Sequence, residues 1–129
     1  MSAVLHPHAF SHPSGYRELV PVHARNVLDR VRIIDVREPD EYSGQFGHIA
    51  GAELVPLASL PMTAADWDRH RPLLVVCRSG GRSGRAATWL SSNGFTSVIN
   101  LAGGMIAWTE HSLPSCACGH RGVCRTDSP

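Results

Sequence analysis

Between Leu73 and Leu90 the chain runs LLVVCRSGGRSGRAATWL. Four apolar residues, Leu73–Val76, lead straight into Cys77, and RSGGRS follows with no apolar side chain before Arg85–Leu90 returns to helical composition. A short, continuous apolar run rich in β-branched residues reads as a strand buried on both faces. Helices must then cover those faces. The strand also delivers one thiol to its carboxyl end, where a small polar loop and a helix start surround it.

The rest of the chain repeats that pattern. Tyr16–Val20 reads as a first strand, and Pro21 opens a helix over about Val22–Arg30, since proline suits the first helical turn. Val31–Ile34 is a second strand with Asp35 at its end, and Glu38–Ser43 a short helix whose early acids suit the positive end of its dipole. Ala52–Val55 is a third strand. Pro56 and Pro61 punctuate the next segment, and Thr63–Arg69 reads as a turn or two of helix. After Leu73–Val76 comes a helix over about Gly84–Asn93 with Gly94 beyond its end. A fifth strand over Thr96–Asn100 and a last helix, Met105–His111, complete the series. Strands alternating with helices predict a three-layer α/β fold: a central, mainly parallel, five-stranded sheet flanked by helices. Ligands in such sheets bind beyond the carboxyl ends of the strands, where Cys77 is placed.

At 129 residues this is one domain, with residues 15–114 as its body. Residues 1–14, with His6, His8 and His12 but no acidic neighbours, read as a partly mobile polar extension. Residues 115–129 form a tail carrying Cys116, Cys118 and Cys124. A net charge of +1 gives no bulk electrostatic reason to expect nucleic acid. No apolar run is long enough to span a membrane. The N-terminus lacks the pattern of a signal peptide, which makes a cytoplasmic location the expectation. Cysteines clustered at one end favour free thiols over a disulfide framework. No cofactor and no metal are expected, and the chain is read as a monomer or weak dimer.

Cys77 carries the chemistry. Gly80 and Gly81 let successive backbone N–H groups turn inward as an anion nest. The helix beginning near Ser83 adds unpaired N–H groups and the positive end of its dipole. Arg78, Arg82 and Arg85 supply cationic side chains. All of these favour a thiolate, the nucleophilic form of cysteine. A nest of this kind suits either a phosphoryl group or a sulfane sulfur carried as Cys–S–S⁻, and the residues alone leave both open.

Four stretches resemble signatures of the rhodanese family, the single-domain sulfurtransferases, between about Tyr16 and Pro114. They are Ile34–Tyr42 (IDVREPDEY), His48–Ala52 (HIAGA), Val76–Ser83 (VCRSGGRS) and Leu101–Trp108 (LAGGMIAW). The resemblance implies sulfur transfer through a Cys77 persulfide. Thiosulfate or another sulfane-sulfur donor loads the sulfur, and cyanide, a small thiol or a protein acceptor removes it. It also implies that the backbone of residues 78–83 (Arg78, Ser79, Gly80, Gly81, Arg82 and Ser83) holds the persulfide. Arg78 and Arg82 are expected to attract an anionic donor, and Ser79 and Ser83 to add hydroxyl donors. Related phosphatases and arsenate reductases place five residues between cysteine and arginine; Arg82 follows Cys77 after only four. The shorter ring suits a single sulfur atom. A rival reading from another class is a persulfide carrier serving a protein partner, with weak thiosulfate turnover.

The remaining polar residues are read as structural. Asp35, Arg37 and Glu38 are expected to tie loops together by charged hydrogen bonds, and His48 is read as structural because a preformed thiolate needs no base. Trp89 and Trp108 are expected to pack on the sheet, with Met105 reaching the active-site rim. Cys116, Cys118, His120 and Cys124 are poorly spaced for zinc. They are open to a sulfur relay or a reversible disulfide, or to no role beyond a flexible tail.

Overall fold

The computed structural model describes residues 9–116. In chain order its elements are β1 (Phe10–Ser11), β2 (Arg17–Leu19), α1 (Pro21–Ala24), β3 (Arg32–Asp35), α2 (Pro39–Tyr42) and β4 (Glu53–Leu54). Then come α3 (Leu60–Thr63), β5 (Leu73–Val76), α4 (Gly81–Ser92), β6 (Val98–Leu101) and α5 (Gly104–Glu110). The strands lie in the order β1-β2-β6-β5-β3-β4. The five strands β2, β6, β5, β3 and β4 are parallel. β1 adds an antiparallel edge through Phe10↔Glu18 and Ser11↔Arg17. This sixth strand comes from the segment read as an extension; two residues are too few to show a period. The readings of His6, His8, Cys118, His120 and Cys124 fall outside the described residues.

Period-2 alternation splits the core into two layers. Leu74 and Val76 of β5 pack on one face with Leu19, Val27, Tyr42, Ile99 and Trp108. Leu73, Val75 and Cys77 face the other way, among Leu60, Ala86, Ala87 and Leu90. β5 is thus apolar throughout because both its faces are covered, and all four of its residues are buried. Each such side chain contributes about 1.5–3 kcal/mol relative to exposure.

Connectivity explains why the cysteine loop is a site. From β3 the chain passes through α2 to β4 on one side. From β5 it passes through α4 to β6 on the other. Right-handed crossovers in opposite directions put the two helices on opposite faces, as the placement of Tyr42 and Leu90 in different layers shows. A crevice therefore opens beyond the carboxyl ends of β3 and β5, at the switch in strand order.

Three boundaries differ from expectation. The first helical segment is one α turn followed by 3-10 turns over Arg25–Arg30. The segment placed at Thr63–Arg69 is helical earlier: 3-10 turns at Leu57–Ser59 and Ala64–Asp66 flank α3. Pro61, read as a break, sits in the first turn of α3, where a missing N–H costs nothing. Most consequential, α4 starts at Gly81, so Gly81, Arg82 and Ser83 are its first turn and not loop.

Candidate active site

Cys77 emerges from β5 with 1% of its surface exposed. Gly80 turns the chain back with φ +106°, a left-handed conformation that favours glycine, and caps α4. The turn brings the Gly80 N–H to 3.0 Å from Cys77 Sγ, to which it donates. The Ser83 hydroxyl lies 3.3 Å from the same sulfur. The N–H groups of the first α4 turn have no partners within the helix, and they lie at the positive end of its dipole. Gly81 has no positive φ, and a Cβ there would meet nothing within 4 Å. One glycine of the pair therefore makes the turn.

α5 closes the back of the loop. The Met105 N–H donates to the Cys77 carbonyl at 2.9 Å, and the Ile106 N–H to that of Arg78 at 3.0 Å. These bonds need Gly104: a Cβ there would lie 2.5 Å from the carbonyl oxygens of Cys77 and Arg78. The Met105 side chain is fully buried in the core and does not reach the rim. Its contribution to the loop is its backbone N–H.

The cations divide their work. Arg82 donates to both oxygens of Glu41, at 2.8 and 2.7 Å, strapping α4 to α2 across the crevice. That bidentate bond, helped by the Glu38 N–H, holds the Glu41 carboxyl down to about 2. Arg78 is exposed and stacks over Phe46 with its guanidinium carbon 5.6 Å from the ring centre. Arg82 is thus committed to Glu41, and Arg78 is the loop cation presented to solvent. Arg78 also lines a pocket of about 180 Å³ together with Arg37, Asp40, Glu41, Gln45 and Phe46.

Beneath the pocket Arg37 is 1% exposed and grips both oxygens of Asp35 at 2.9 and 2.7 Å. Its second nitrogen also reaches the Gly47 carbonyl at 2.7 Å. This pair ties the end of β3 to the loop after α2. The Glu38 side chain caps α2 through a reciprocal bond with residue Glu41. His48 is buried, stacks on Tyr42 with ring centres 3.6 Å apart, and holds the Tyr42 carbonyl through Nδ1 at 2.7 Å. Its backbone pairs with Cys116, so the tail starts against this loop. Among the described residues no group of three His, Cys, Asp or Glu side chains could hold a metal ion.

Sequence reasoning missed Asn100. It sits on β6 at 2% exposure, amid the apolar residues of a strand. Its Oδ1 accepts the Ser83 hydroxyl, while its Nδ2 donates to Glu18 Oε2 at 2.9 Å and lies 3.3 Å from the Gly80 carbonyl. The available signal was a buried-strand position occupied by an amide: such a group needs partners on every polar atom.

A thiol at a strand end, an inward amide and a helix N-terminus together make a nest of donors suited to one anionic atom. Comparison with known proteins points the same way. A family model described as rhodanese-like domain matches residues 21–111. An uncharacterised Bacillus subtilis protein, YqhL, is 42% identical over 79 residues, which are 61% of each chain. The thiosulfate sulfurtransferase GlpE of Stutzerimonas stutzeri is 39% identical over 83 residues, 64% of this chain and 73% of that one. The chain thus spans less than two thirds of the length of the Bacillus relative. A rhodanese-related protein from Thermoplasma volcanium superimposes with a TM-score of 0.70 at 29% identity, covering 77% of this chain and 96% of the other.

Proposed function

The chain belongs to the rhodanese-like domain family, and from that premise we propose that it is a sulfurtransferase working through a persulfide on Cys77. The observation that carries this reading is the Gly80 N–H aimed at Cys77 Sγ at the mouth of α4. The Cys77 thiolate attacks the outer sulfur of thiosulfate. A Cys77 S–S bond forms, the bond to the sulfonate sulfur breaks, and sulfite leaves with the electron pair. The product, Cys77–S–S⁻, keeps its charge on the outer sulfur, within the unpaired amides of the first α4 turn. Cyanide or a thiolate then takes that sulfur and returns the Cys77 thiolate.

Two features favour sulfur over a phosphoryl group. The ring closes after four residues, and its arginine, Arg82, is already paired with Glu41 and gives no free clamp for a tetrahedral oxyanion. Arg78, exposed beside the pocket, is the cation that recruits the dianionic donor. Intact mass after incubation with thiosulfate tests the reading. The protein should gain the mass of one sulfur atom, and the Cys77→Ala variant should gain nothing. Sulfur retained in that variant would overturn the assignment. Thiocyanate release with cyanide present separates an enzyme from a carrier that loads but does not turn over.

A further inference from the structure

We infer that Asn100 is a positioning residue that governs the donor of Ser83 toward the reacting sulfur. The argument is a proton count. The Ser83 hydroxyl has one hydrogen, and three acceptors lie within its reach: Asn100 Oδ1, Cys77 Sγ and the Gly80 carbonyl. Asn100 Oδ1 is the nearest of the three; Sγ and the carbonyl oxygen are each 3.3 Å away. Ser83 is fully buried and Asn100 nearly so, which leaves the group dependent on its own partners.

The amide of Asn100 can face only one way. Glu18 on the adjacent strand β2, in register with Asn100, is an acceptor when ionised and must receive the Nδ2 hydrogen. A flipped amide would set two acceptors against each other there, and two more at the Gly80 carbonyl. Oδ1 is therefore fixed toward Ser83. While Cys77 is a thiol, the Ser83 hydrogen goes to Asn100, and the Ser83 oxygen is open to the thiol hydrogen. When the sulfur becomes an anion, the hydroxyl turns to donate to it and leaves Asn100 Oδ1 without its partner. Asn100 thus competes with the sulfur for one hydrogen. An amide side chain is a poor proton relay, so the line Cys77–Ser83–Asn100–Glu18 sets direction and carries no proton out.

The charged groups around the sulfur lie elsewhere. They are Arg78 in the loop, Arg82 on α4 with Glu41 on α2, and the Asp35–Arg37 pair at the end of β3. α5 brings no charge in its first turn, and Glu18 stands behind Asn100. Of these, only Glu18 bonds to Asn100, and substituting Asn100 removes that donor.

Alkylation of Cys77 by iodoacetamide, followed on the Cys77 peptide as a function of pH, tests the inference. Asn100→Leu removes the competing acceptor. Below the pH of half-maximal wild-type rate, Cys77 should be alkylated roughly two- to tenfold faster, the range of one modest hydrogen bond. A residue that merely supports the fold would loosen the loop around the buried thiol and speed alkylation by a similar factor at every pH; a pH-independent gain, or no gain, overturns the proposal. Asn100→Ser, too short to reach Ser83 and milder beside Glu18, should shift the rate in the same direction and guards against an unfolded Leu variant. In a Ser83→Ala background the Asn100 substitution should have no effect; an undiminished effect would show that Asn100 does not act through Ser83. The inference rests on Cys77 as the reacting sulfur and not on its donor. Failure to load sulfur from thiosulfate, with this alkylation pattern intact, would refute the proposed function alone.

Discussion

Arg82 and Glu41 join the two helices that flank the crevice through a two-pronged ion pair, 2.8 and 2.7 Å long, with each side chain about three-quarters buried. The strap fixes the first turn of α4, and with it Ser83 and the helix N-terminus beside the sulfur. It also consumes the charge of the arginine that the sequence offered as an anion ligand.

The strap gives a pH signature. The folded Glu41 carboxyl is held down to about 2, chiefly by its bonds to Arg82, against an ordinary value near 4.5. A depressed acid adds stability that is complete above its unfolded value and lost as pH falls through the folded one. Glu41→Gln should therefore cost about 1 kcal/mol at pH 7. Thermal unfolding of the two proteins should converge between pH 4.5 and 2. A constant difference across that window would show that the carboxylate charge is not what holds the strap.

Gly104 and Gly81 make a contrasting pair. Gly104 has φ +60°, and a Cβ there would press on the carbonyls of Cys77 and Arg78 at 2.5 Å. Gly104→Ala should cost about 2–4 kcal/mol, from backbone strain and overpacking together. It should also slow sulfur loading, because α5 can no longer cap the loop. Gly81→Ala meets no neighbour within 4 Å at an ordinary φ and should be neutral or gain a few tenths of a kcal/mol in helix propensity. Denaturant unfolding of both variants checks the contrast.

That contrast shows what a sequence can tell. Cys77 at the end of an apolar run located the crevice, because a strand buried on both faces and followed by a helix has few other arrangements. The other parallel strands were legible from the alternation of short strand-like and helical segments along the chain. Gly80 and Gly81 were not separable, since identical letters hide that only Gly80 takes the positive φ. Arg82 reads from the sequence as an anion ligand; its pairing with Glu41 is not visible there, because the two lie 41 residues apart. Asn100 was invisible because its partners Glu18 and Ser83 come from two other elements. Strand register and helix docking bring those three together.

Arg78 should act on binding more than on chemistry. It is exposed at the pocket, stacked on Phe46, and has no ion-pair partner among the described residues. Arg78→Ala should raise KM for thiosulfate about five- to tenfold and change kcat less than twofold, a loss of uniform binding. Added salt should narrow the gap between the two proteins, because an exposed cation attracts a dianion through screened charge. A matched fall in kcat would instead place Arg78 in the transition state.

His48 gives the chain a second, milder acid sensitivity. Burial lowers its pKa below the ordinary value near 6.5, against the opposing pull of the Tyr42 carbonyl and Asp35. The imidazole is therefore neutral in the fold, with Nδ1–H donating to Tyr42 and the ring stacked on the Tyr42 ring. Below pH 6.5 the unfolded chain takes up a proton that the folded chain resists, so stability falls as pH drops from 6.5 toward the folded value. His48→Gln can keep the donor to Tyr42 but has nothing to titrate. It should lower stability at pH 7, through the lost stacking, and flatten the dependence between pH 6.5 and 5. Denaturant midpoints at pH 7, 6 and 5 decide it: an equally steep fall in the variant would assign the acid sensitivity to another group.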